Sequence, residues 1–396
     1  MTSIPKLDVV FLDTGLYASE GFTNGLLIFL KNTLKKISNK NIKAGILSCV
    51  SRDKALPHAI QSGLRIRTDD GLPVFEILMD DKDCTDESAI IENFKILLDA
   101  ASPHTIIMNT PAVFLNQRDV RIRELAQSSA QHVVHVLADE LFPTADKHEP
   151  ALVKRLYDVL KQGEIIGVTA RIRNVFETAS GIKPLPFKTV INLESIQFNP
   201  AERVPEYIGM INIHPLKGIQ IFNDIAAKMP EHKFLVVKNW PDVPEYIPSS
   251  DNVEIWNFLQ SPADFYKRIK LLMIPSLMQE GPTMVIMEAL YNGIPVIANR
   301  IGSIPEAGEE AATFIDPPII EDYKMEGTIL YPICEQQSFE RVCSNYSNAI
   351  TRVLSSYTPQ EGHRLKAIAE KDIQKGHDMI GELIDRWTDN IRTFEA

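Results

Sequence analysis

The chain has 396 residues, 41 Lys plus Arg against 52 Asp plus Glu, and a net charge of −11. That balance excludes a whole-surface nucleic-acid binder, which would present a basic face, and leaves only a local basic patch open. An apolar share of 44% with 23% charged residues excludes an intrinsically disordered chain. At about 150 residues per domain, the length implies roughly two to three domains. Cys49, Cys84, Cys334 and Cys343 show no CxxC spacing, so the expectation is reduced thiols in a cytoplasmic protein rather than a zinc or redox motif. The first residues, MTSIPKLDVVFLD, lack the basic-then-apolar pattern of a signal peptide. No apolar run approaches the length of about 18 residues that a membrane span needs.

Taken in chain order, the pattern alternates strand and helix. Leu7–Asp13 is a short β-branched apolar run, and Thr23–Ile37 follows with Leu26, Leu30, Leu34 and Ile37 at helical spacing. Ile42–Ser48 reads as a buried strand. Thr85 reads as an N-cap to a helix with Ile90, Ile91, Phe94, Leu97 and Leu98 on its apolar stripe. Thr105–Asn109, His132–Leu137 and Ile165–Val168 are further strands, with Arg118–Gln127 helical between the first two. Near Lys188–Pro200 the alternation pauses in a polar, proline-containing stretch, and the domain boundary is placed there. It then restarts with strand Glu206–Met210, helix Leu216–Ala227, strand Lys233–Lys238, strand Val253–Trp256, helix Ala263–Ile269 and strand Leu271–Pro275. Thr283–Tyr291 is a helix stopped at Asn292-Gly293, and Pro295–Ala298 is the next strand. After Ser338 the chain reads as helical, ending in Ile373–Thr393. The pattern predicts an α/β protein of two Rossmann-like halves, with ligands at the carboxyl ends of the strands and an interdomain cleft as the default site.

The informative stretch is residues 271–306, LLMIPSLMQEGPTMVIMEALYNGIPVIANRIGSIPE. Glu280 falls in the loop after a strand, and Glu288 on the helix that this loop opens. Paired carboxylates on a rigid turn suit vicinal hydroxyls, as in a ribose or hexose. Amides around Gly281, Thr283 and Met284 at the helix start suit an anion. The other reading of both glutamates is solvated charges flanking a helix.

These residues resemble the retaining, GT-B fold enzymes of glycosyltransferase family 4. The family string P-S-x-x-E-G, E-A at E-x7-E spacing, G-x-P-V and G-G-x-x-E is met by Pro275-Ser276, Glu280-Gly281, Glu288-Ala289, Gly293, Pro295-Val296, and Gly302-Ser303 with Glu306. Upstream, Tyr207–Gly218 is similar to the family's phosphate-binding loop. Met210 stands where the common form has Arg, while Asn212, Pro215, Lys217 and Gly218 fit the N-x-x-P-x-K-G variant. The resemblance makes Lys217 the diphosphate ligand and leaves the second cation open, with His214 as a candidate. Asn257 and Phe258 would lie beside the base, although Trp256 and Phe258 also read as core residues. In the N-terminal half, Ser19–Gly25, with Gly21, Asn24 and Gly25, resembles the acceptor-side glycine loop. Asp139 falls where relatives place a histidine that contacts the donor sugar; as an alternative, Asp139 and Glu140 are capping or surface acids. Pro282 departs from the family pattern by removing an amide donor, for which the Thr283 hydroxyl is a candidate substitute.

The resemblance implies an N-terminal acceptor-side domain over 1–195, a C-terminal nucleotide-sugar-binding domain over 196–371, and a helix over 372–396 that crosses back. It implies transfer of a sugar from a nucleotide-sugar donor, UDP favoured over GDP, to a glycan, lipid-linked glycan or natural-product hydroxyl, with no cofactor and no metal ligands. Glu280 and Lys217 are then catalytic, with Lys217 and helix-end amides stabilising the leaving diphosphate. Glu288 holds ribose hydroxyls. Other readings are a non-catalytic nucleotide-sugar-binding subunit, a GT-B epimerase, and an NAD-dependent oxidoreductase, against which the absence of GxGxxG counts. The Asp81-Lys82-Asp83 run reads as a solvated loop rather than a metal site. Lys31, Lys35, Lys36, Lys40 and Lys43 form a basic island that suits either an anionic membrane surface or, the favoured reading, the dipole of the first helix.

Overall fold

The computed structural model describes residues 4–13, 25–51, 64–69, 71–79, 86–109, 115–138, 142–144, 146–238, 246–248, 250–257, 259, 261–327 and 329–388. The chain divides into two compact units, residues 1–190 with 376–396, and residues 191–375.

The first unit is built on eight strands: β1 (Val9–Asp13), β2 (Ala44–Ser51), β3 (Leu64–Asp69), β4 (Leu72–Met79), β5 (Thr105–Asn109), β6 (His132–Leu137), β7 (Glu164–Gly167) and β8 (Leu185–Pro186). Their order is β3-β4-β2-β1-β5-β6-β7-β8, parallel except for the β3–β4 hairpin. Apolar residues fill both faces, as a sheet covered by helices on two sides requires. Phe11, Ile46, Val74 and Ile107 line one face, and Val10, Leu12, Leu47 and Ile106 the other. The helices are α1 (Gly25–Ser38), α2 (Glu87–Ala101), α3 (Gln117–Ser129), α4 (Pro150–Leu160) and α5 (Ala170–Ser180). Asp86, not the expected Thr85, caps α2: its carboxylate accepts from the Ser88 and Ala89 amides at 2.8 and 3.3 Å. Thr85 lies outside the described residues.

Three lysines of the basic island face carboxylates. Lys31 pairs with Asp69 at 2.7 Å and Lys40 with Asp385 at 2.5 Å, while burial lowers the Lys36 pKa against the pull of Asp378. At the carboxyl end of β5, Arg123 of α3 is fully buried. It donates to the Asn109 carbonyl at 2.6 Å and lies 3.2 Å from His135 Nδ1. Burial lowers the Arg123 pKa to about 10, and burial beside Arg123 holds His135 far below the ordinary histidine range.

The second unit holds β9 (Tyr207–Ile211), β10 (Lys233–Val237), β11 (Val253–Trp256), β12 (Ile269–Ile274), β13 (Val296–Asn299) and β14 (Thr313–Ile315) in the order β11-β10-β9-β12-β13-β14. Every pair is parallel. Its helices are α6 (Leu193–Ile196), α7 (Ile219–Lys228), α8 (Pro262–Arg268), α9 (Met284–Tyr291), α10 (Ile304–Gly308) and α11 (Gln336–Ser356). The expected helix Leu216–Ala227 is broken: Pro215–Lys217 is a 3-10 turn, Gly218 stands in the left-handed region, and α7 begins at Ile219. Ile269, expected at a helix end, opens β12. An antiparallel hairpin, β15 (Ile320–Glu326) and β16 (Ile329–Cys334), forms a separate two-stranded sheet. The last helix, α12 (Pro359–Thr388), supplies Leu365, Ala369 and Ile373 to the second unit's core and Ile380, Leu383, Ile384 and Trp387 to the first unit's core. No described helix is long and apolar enough to cross a membrane.

Candidate functional site

The strand order of the second sheet fixes where a site can form. From β9 the chain winds outward through β10 to β11, and from β12 it winds the opposite way through β13 to β14. β9 and β12 are therefore the neighbours at which the winding reverses. The loops leaving their carboxyl ends diverge there and leave a crevice. Those loops are residues 212–218 and 275–283, the two segments that the sequence singles out.

The first loop turns sharply. Asn212 adopts φ 79°, a left-handed conformation uncommon outside glycine, while its amide donates to the Val237 carbonyl at 2.9 Å. Its buried Oδ1 has no hydrogen-bond partner among the described residues. His214 caps the turn, its Nδ1 accepting from the Leu216 amide at 3.1 Å. That bond places the ring proton on Nε2. Burial and the neighbouring Lys217 charge lower the His214 pKa to about 4, so His214 is neutral at pH 7 beside Lys217 and supplies no second positive charge there. Met210 points into the apolar core and leaves that role unfilled on β9. Gly218 (φ 80°) lies against the second loop: a Cβ there would stand 1.9 Å from the Pro275 carbonyl oxygen. The Leu277 amide donates to the Leu216 carbonyl at 2.9 Å and ties the loops together.

Across this junction Lys217 Nζ donates to both oxygens of Glu280, each at 2.7 Å. The residue expected to bind the diphosphate is thus held by the other expected catalytic residue. The side chains are 19% and 11% exposed, so the pair sits at a wet edge rather than in solvent or in the core. Ser276 Oγ donates to Glu280 Oε1 at 2.5 Å. The Ser303 amide donates to the Glu280 carbonyl at 2.9 Å. Gly302 (φ 57°) allows that approach, since a Cβ there would lie 2.5 Å from the Glu280 amide nitrogen. Backbone and carboxylate of Glu280 are therefore both fixed.

Glu288, on the third helical position after Val285, has a different partner. The hydroxyl of the fully buried Tyr266, from α8, donates to Glu288 Oε2 at 2.6 Å. Burial raises the Glu288 pKa, and the Tyr266 bond opposes the rise. The start of α9 is built without a side-chain cap. The Thr283 hydroxyl donates instead to the Gly281 carbonyl at 3.3 Å, and the Met284 amide bonds the Pro282 carbonyl at 3.2 Å. Gly281, Pro282 and Thr283 are partly exposed and Met284 is buried. Asn257 is exposed at the end of β11, beside the partly buried Trp256, whose indole N–H donates to Glu254 at 2.6 Å. Gly25 opens α1 in the first unit. Gly21, Asn24, Asp139 and Phe258, with the Asp81–Asp83 run, lie outside the described residues. Among the described residues there is no group of three His, Cys, Asp or Glu side chains that could hold a metal ion.

Two functional neighbours carry no expectation from the sequence. Ser276 stands inside the P-S-x-x-E-G string, so its place in the motif was the available signal. Tyr266 sits on a short helix 22 residues before its partner and offers none.

Comparison with known proteins agrees with this geometry. Residues 204–323 match the family model described as Glycosyl transferases group 1. Sucrose-phosphate synthase from Thermosynechococcus elongatus is similar over 98% of this chain and 100% of its own, with a TM-score of 0.68 and 14% identity. A glycosyltransferase from Rickettsia africae matches over 97% and 98%, with a TM-score of 0.66 and 11% identity. HepE of Anabaena, solved with UDP and glucose, matches over 95% and 99%, with a TM-score of 0.68 and 15% identity. No curated protein matches the chain. The matched segment and these neighbours support a GT-B glycosyltransferase.

Proposed function

We propose that this protein transfers a sugar from a nucleotide-sugar donor, a UDP-sugar in preference to a GDP-sugar, to an acceptor hydroxyl with retention at the anomeric carbon. The observation that carries the reading is the Lys217–Glu280 pair, held between two loops at the crevice where the winding of the second sheet reverses. A donor diphosphate entering there meets the Lys217 ammonium, whose charge stabilises the charge that grows on the leaving group. Lys217 then exchanges one anionic partner for another, and Glu280 is released to accept hydrogen bonds from donor-sugar hydroxyls. Ser276 keeps the carboxylate aimed during that exchange. Glu288 binds the ribose: Tyr266 occupies Oε2, and no described residue bonds Oε1, which is left to accept from a hydroxyl. The leaving phosphate accepts the acceptor's proton, so the reaction uses no enzymic nucleophile and no metal. The preference for UDP draws support from HepE, whose structure was solved with UDP and glucose.

Thermal shift with UDP, GDP, CDP, dTDP and NAD, each without metal and then with Mg²⁺, tests the reading. At about 100 times Kd, a ligand of the native state adds about 2.7 kcal/mol. UDP is expected to raise Tm without metal. Stabilisation by NAD alone, or only in the presence of Mg²⁺, overturns the proposal. Glu280→Ala is expected to abolish transfer while still binding nucleotide, and Glu288→Ala to weaken nucleotide binding as well.

A further inference from the structure

Glu280 is the visible end of a longer chain of hydrogen bonds. Behind it, Ser276 Oγ donates to the carboxylate at 2.5 Å. The Ser276 carbonyl accepts from Asn299 Nδ2 at 2.9 Å. Asn299 Oδ1 accepts from the Tyr346 hydroxyl at 3.0 Å. The two hydroxyls each have a second, longer acceptor, the Leu216 carbonyl at 3.2 Å for Ser276 and the Ile274 carbonyl at 3.4 Å for Tyr346, but the amide between them admits only one orientation. A carbonyl can only accept, so the Asn299 amide nitrogen must face Ser276 and its oxygen must face α11, where it is the nearer acceptor for the Tyr346 hydroxyl. Ser276, Asn299 and Tyr346 are each at most 1% exposed, so no water competes for these bonds.

The far end of this chain lies outside the segment that matches the glycosyltransferase model, which stops at residue 323. Tyr346 is carried by α11, whose apolar seam of Val342, Cys343, Ala349 and Ile350 is packed into the second unit's core. Packing alone would be met by phenylalanine. A phenol there must find an acceptor, and the nearer of the two it finds is the amide that holds the Ser276 carbonyl, at 3.0 Å against 3.4 Å to the Ile274 carbonyl. Asn299 ends β13 and Ser276 follows β12, the paired neighbour of β13, so the contact is set by sheet register rather than by a loop.

We propose that Tyr346 and Asn299 are positioning residues: through Ser276 they set the orientation of the Glu280 carboxylate and hence the place of the Lys217 ammonium. The inference rests on the proposed function for its catalytic consequence, but its geometric content can be tested without turnover. Loss of the Tyr346 hydroxyl leaves Asn299 Oδ1 without its donor and frees the amide to turn. The Ser276 carbonyl then loses its restraint, and the carboxylate leaves the line that serves both Ser276 and Lys217.

The test compares the full-length wild type with Tyr346→Phe, Glu280→Gln and Tyr357→Phe. Tyr357 is the control, because its hydroxyl donates to the Gly293 carbonyl at 2.6 Å and reaches neither Ser276 nor Glu280. The first readout is the ¹H–¹⁵N signal of the Lys217 ammonium, assigned by its loss in Lys217→Arg. A doubly bonded ammonium exchanges slowly, so the signal is expected in wild type and Tyr357→Phe, shifted or broadened in Tyr346→Phe, and lost in Glu280→Gln. The second readout is UDP release from UDP-glucose. Tyr346→Phe is expected to slow kcat about tenfold with KM within about twofold, and to add no further loss in the Glu280→Gln background, as coupled residues should behave. A Lys217 signal unchanged in Tyr346→Phe overturns the positioning inference. So does an equal loss of rate in both backgrounds, which would mark a merely structural role. Wild-type turnover by Glu280→Gln instead overturns the proposed function, and the ammonium signal then judges the positioning inference separately.

Discussion

Each of the two sheets places a cation near the carboxyl end of a central strand, and the two are solved differently. In the second unit Lys217 meets a carboxylate with both oxygens at 2.7 Å, at a partly exposed edge. In the first unit Arg123 meets a carbonyl and a neutral histidine, is completely buried, and has an Nε with no partner among the described residues. A cation that meets its anionic partner at a partly exposed edge can trade that partner for a ligand. A cation sealed in the core, hydrogen-bonded to neutral acceptors with Asp119 one helical turn away as its nearby charge, cannot, and its work is to satisfy the end of β5 and fill space. Burial alone therefore does not separate a working charge from a structural one; the exchangeability of its partner does.

The largest effects should fall on opposite properties. Arg123→Ala is expected to lose about 3–5 kcal/mol of stability in urea unfolding, from the cavity and the undonated Asn109 carbonyl, with transfer per folded molecule unchanged. Lys217→Ala should lose less stability and about 10²–10³ in transfer rate, roughly 3–4 kcal/mol of barrier. If both variants lose rate and stability together, the contrast is wrong. Acid comes next. His214 titrates near 4 in the folded protein, below the 6.5 of a free side chain, so its neutral form is favoured by folding. That contribution is fully present above pH 6.5 and is lost as pH falls from 6.5 toward about 4. It is worth about 3 kcal/mol at most, at 1.36 kcal/mol per pH unit. His135 adds in the same direction. In urea unfolding at pH 7 and at pH 5, His214→Asn should remove part of the pH dependence, and an unaltered slope would contradict the buried neutral ring. The smallest effect is a reference for substitutions remote from both clusters: Asp86→Ala should cost about 1 kcal/mol through loss of the α2 cap, with transfer unaffected.

How much of this was legible varied with the kind of signal. Thr105–Asn109 and His132–Leu137 are strands at the bounds their apolar runs indicate, because a parallel strand buried on both faces has no other composition available; Val253–Trp256 also keeps its bounds, although it is a partly buried edge strand. The hairpins were not legible. β3 reads LRIRTD, and its Arg65 and Arg67 are tolerable only because Glu76 of the neighbouring strand lies between them, bonded to Arg65 at 2.6 Å and Arg67 at 3.0 Å. β15 is polar and almost wholly exposed, so no core face marked it. Helices α4 and α5 passed unread although Pro150 at the first turn, Thr169 as N-cap and Gly181 as C-cap were available signals. At the proposed site, Glu280, Glu288 and Lys217 could be named as candidates from the sequence because loop chemistry is local. Their supports were not, because Tyr266, Asn299 and Tyr346 are brought in by register and helix packing across tens of residues.

Helix α12 has a consequence for the order in which the protein can be made. The first unit begins at the amino terminus, yet Ile380, Leu383, Ile384 and Trp387 belong to its core, and the Trp387 indole donates to Glu164 at 2.8 Å. The ribosome adds those residues only after it has synthesised the whole of the second unit. A nascent chain carrying the first 190 residues therefore holds a sheet whose core is unfinished, and it must keep that apolar surface from aggregating until residues 376–388 have been added. The second unit needs nothing beyond residue 375 and can close first. Vectorial synthesis would then finish the earlier-made half last.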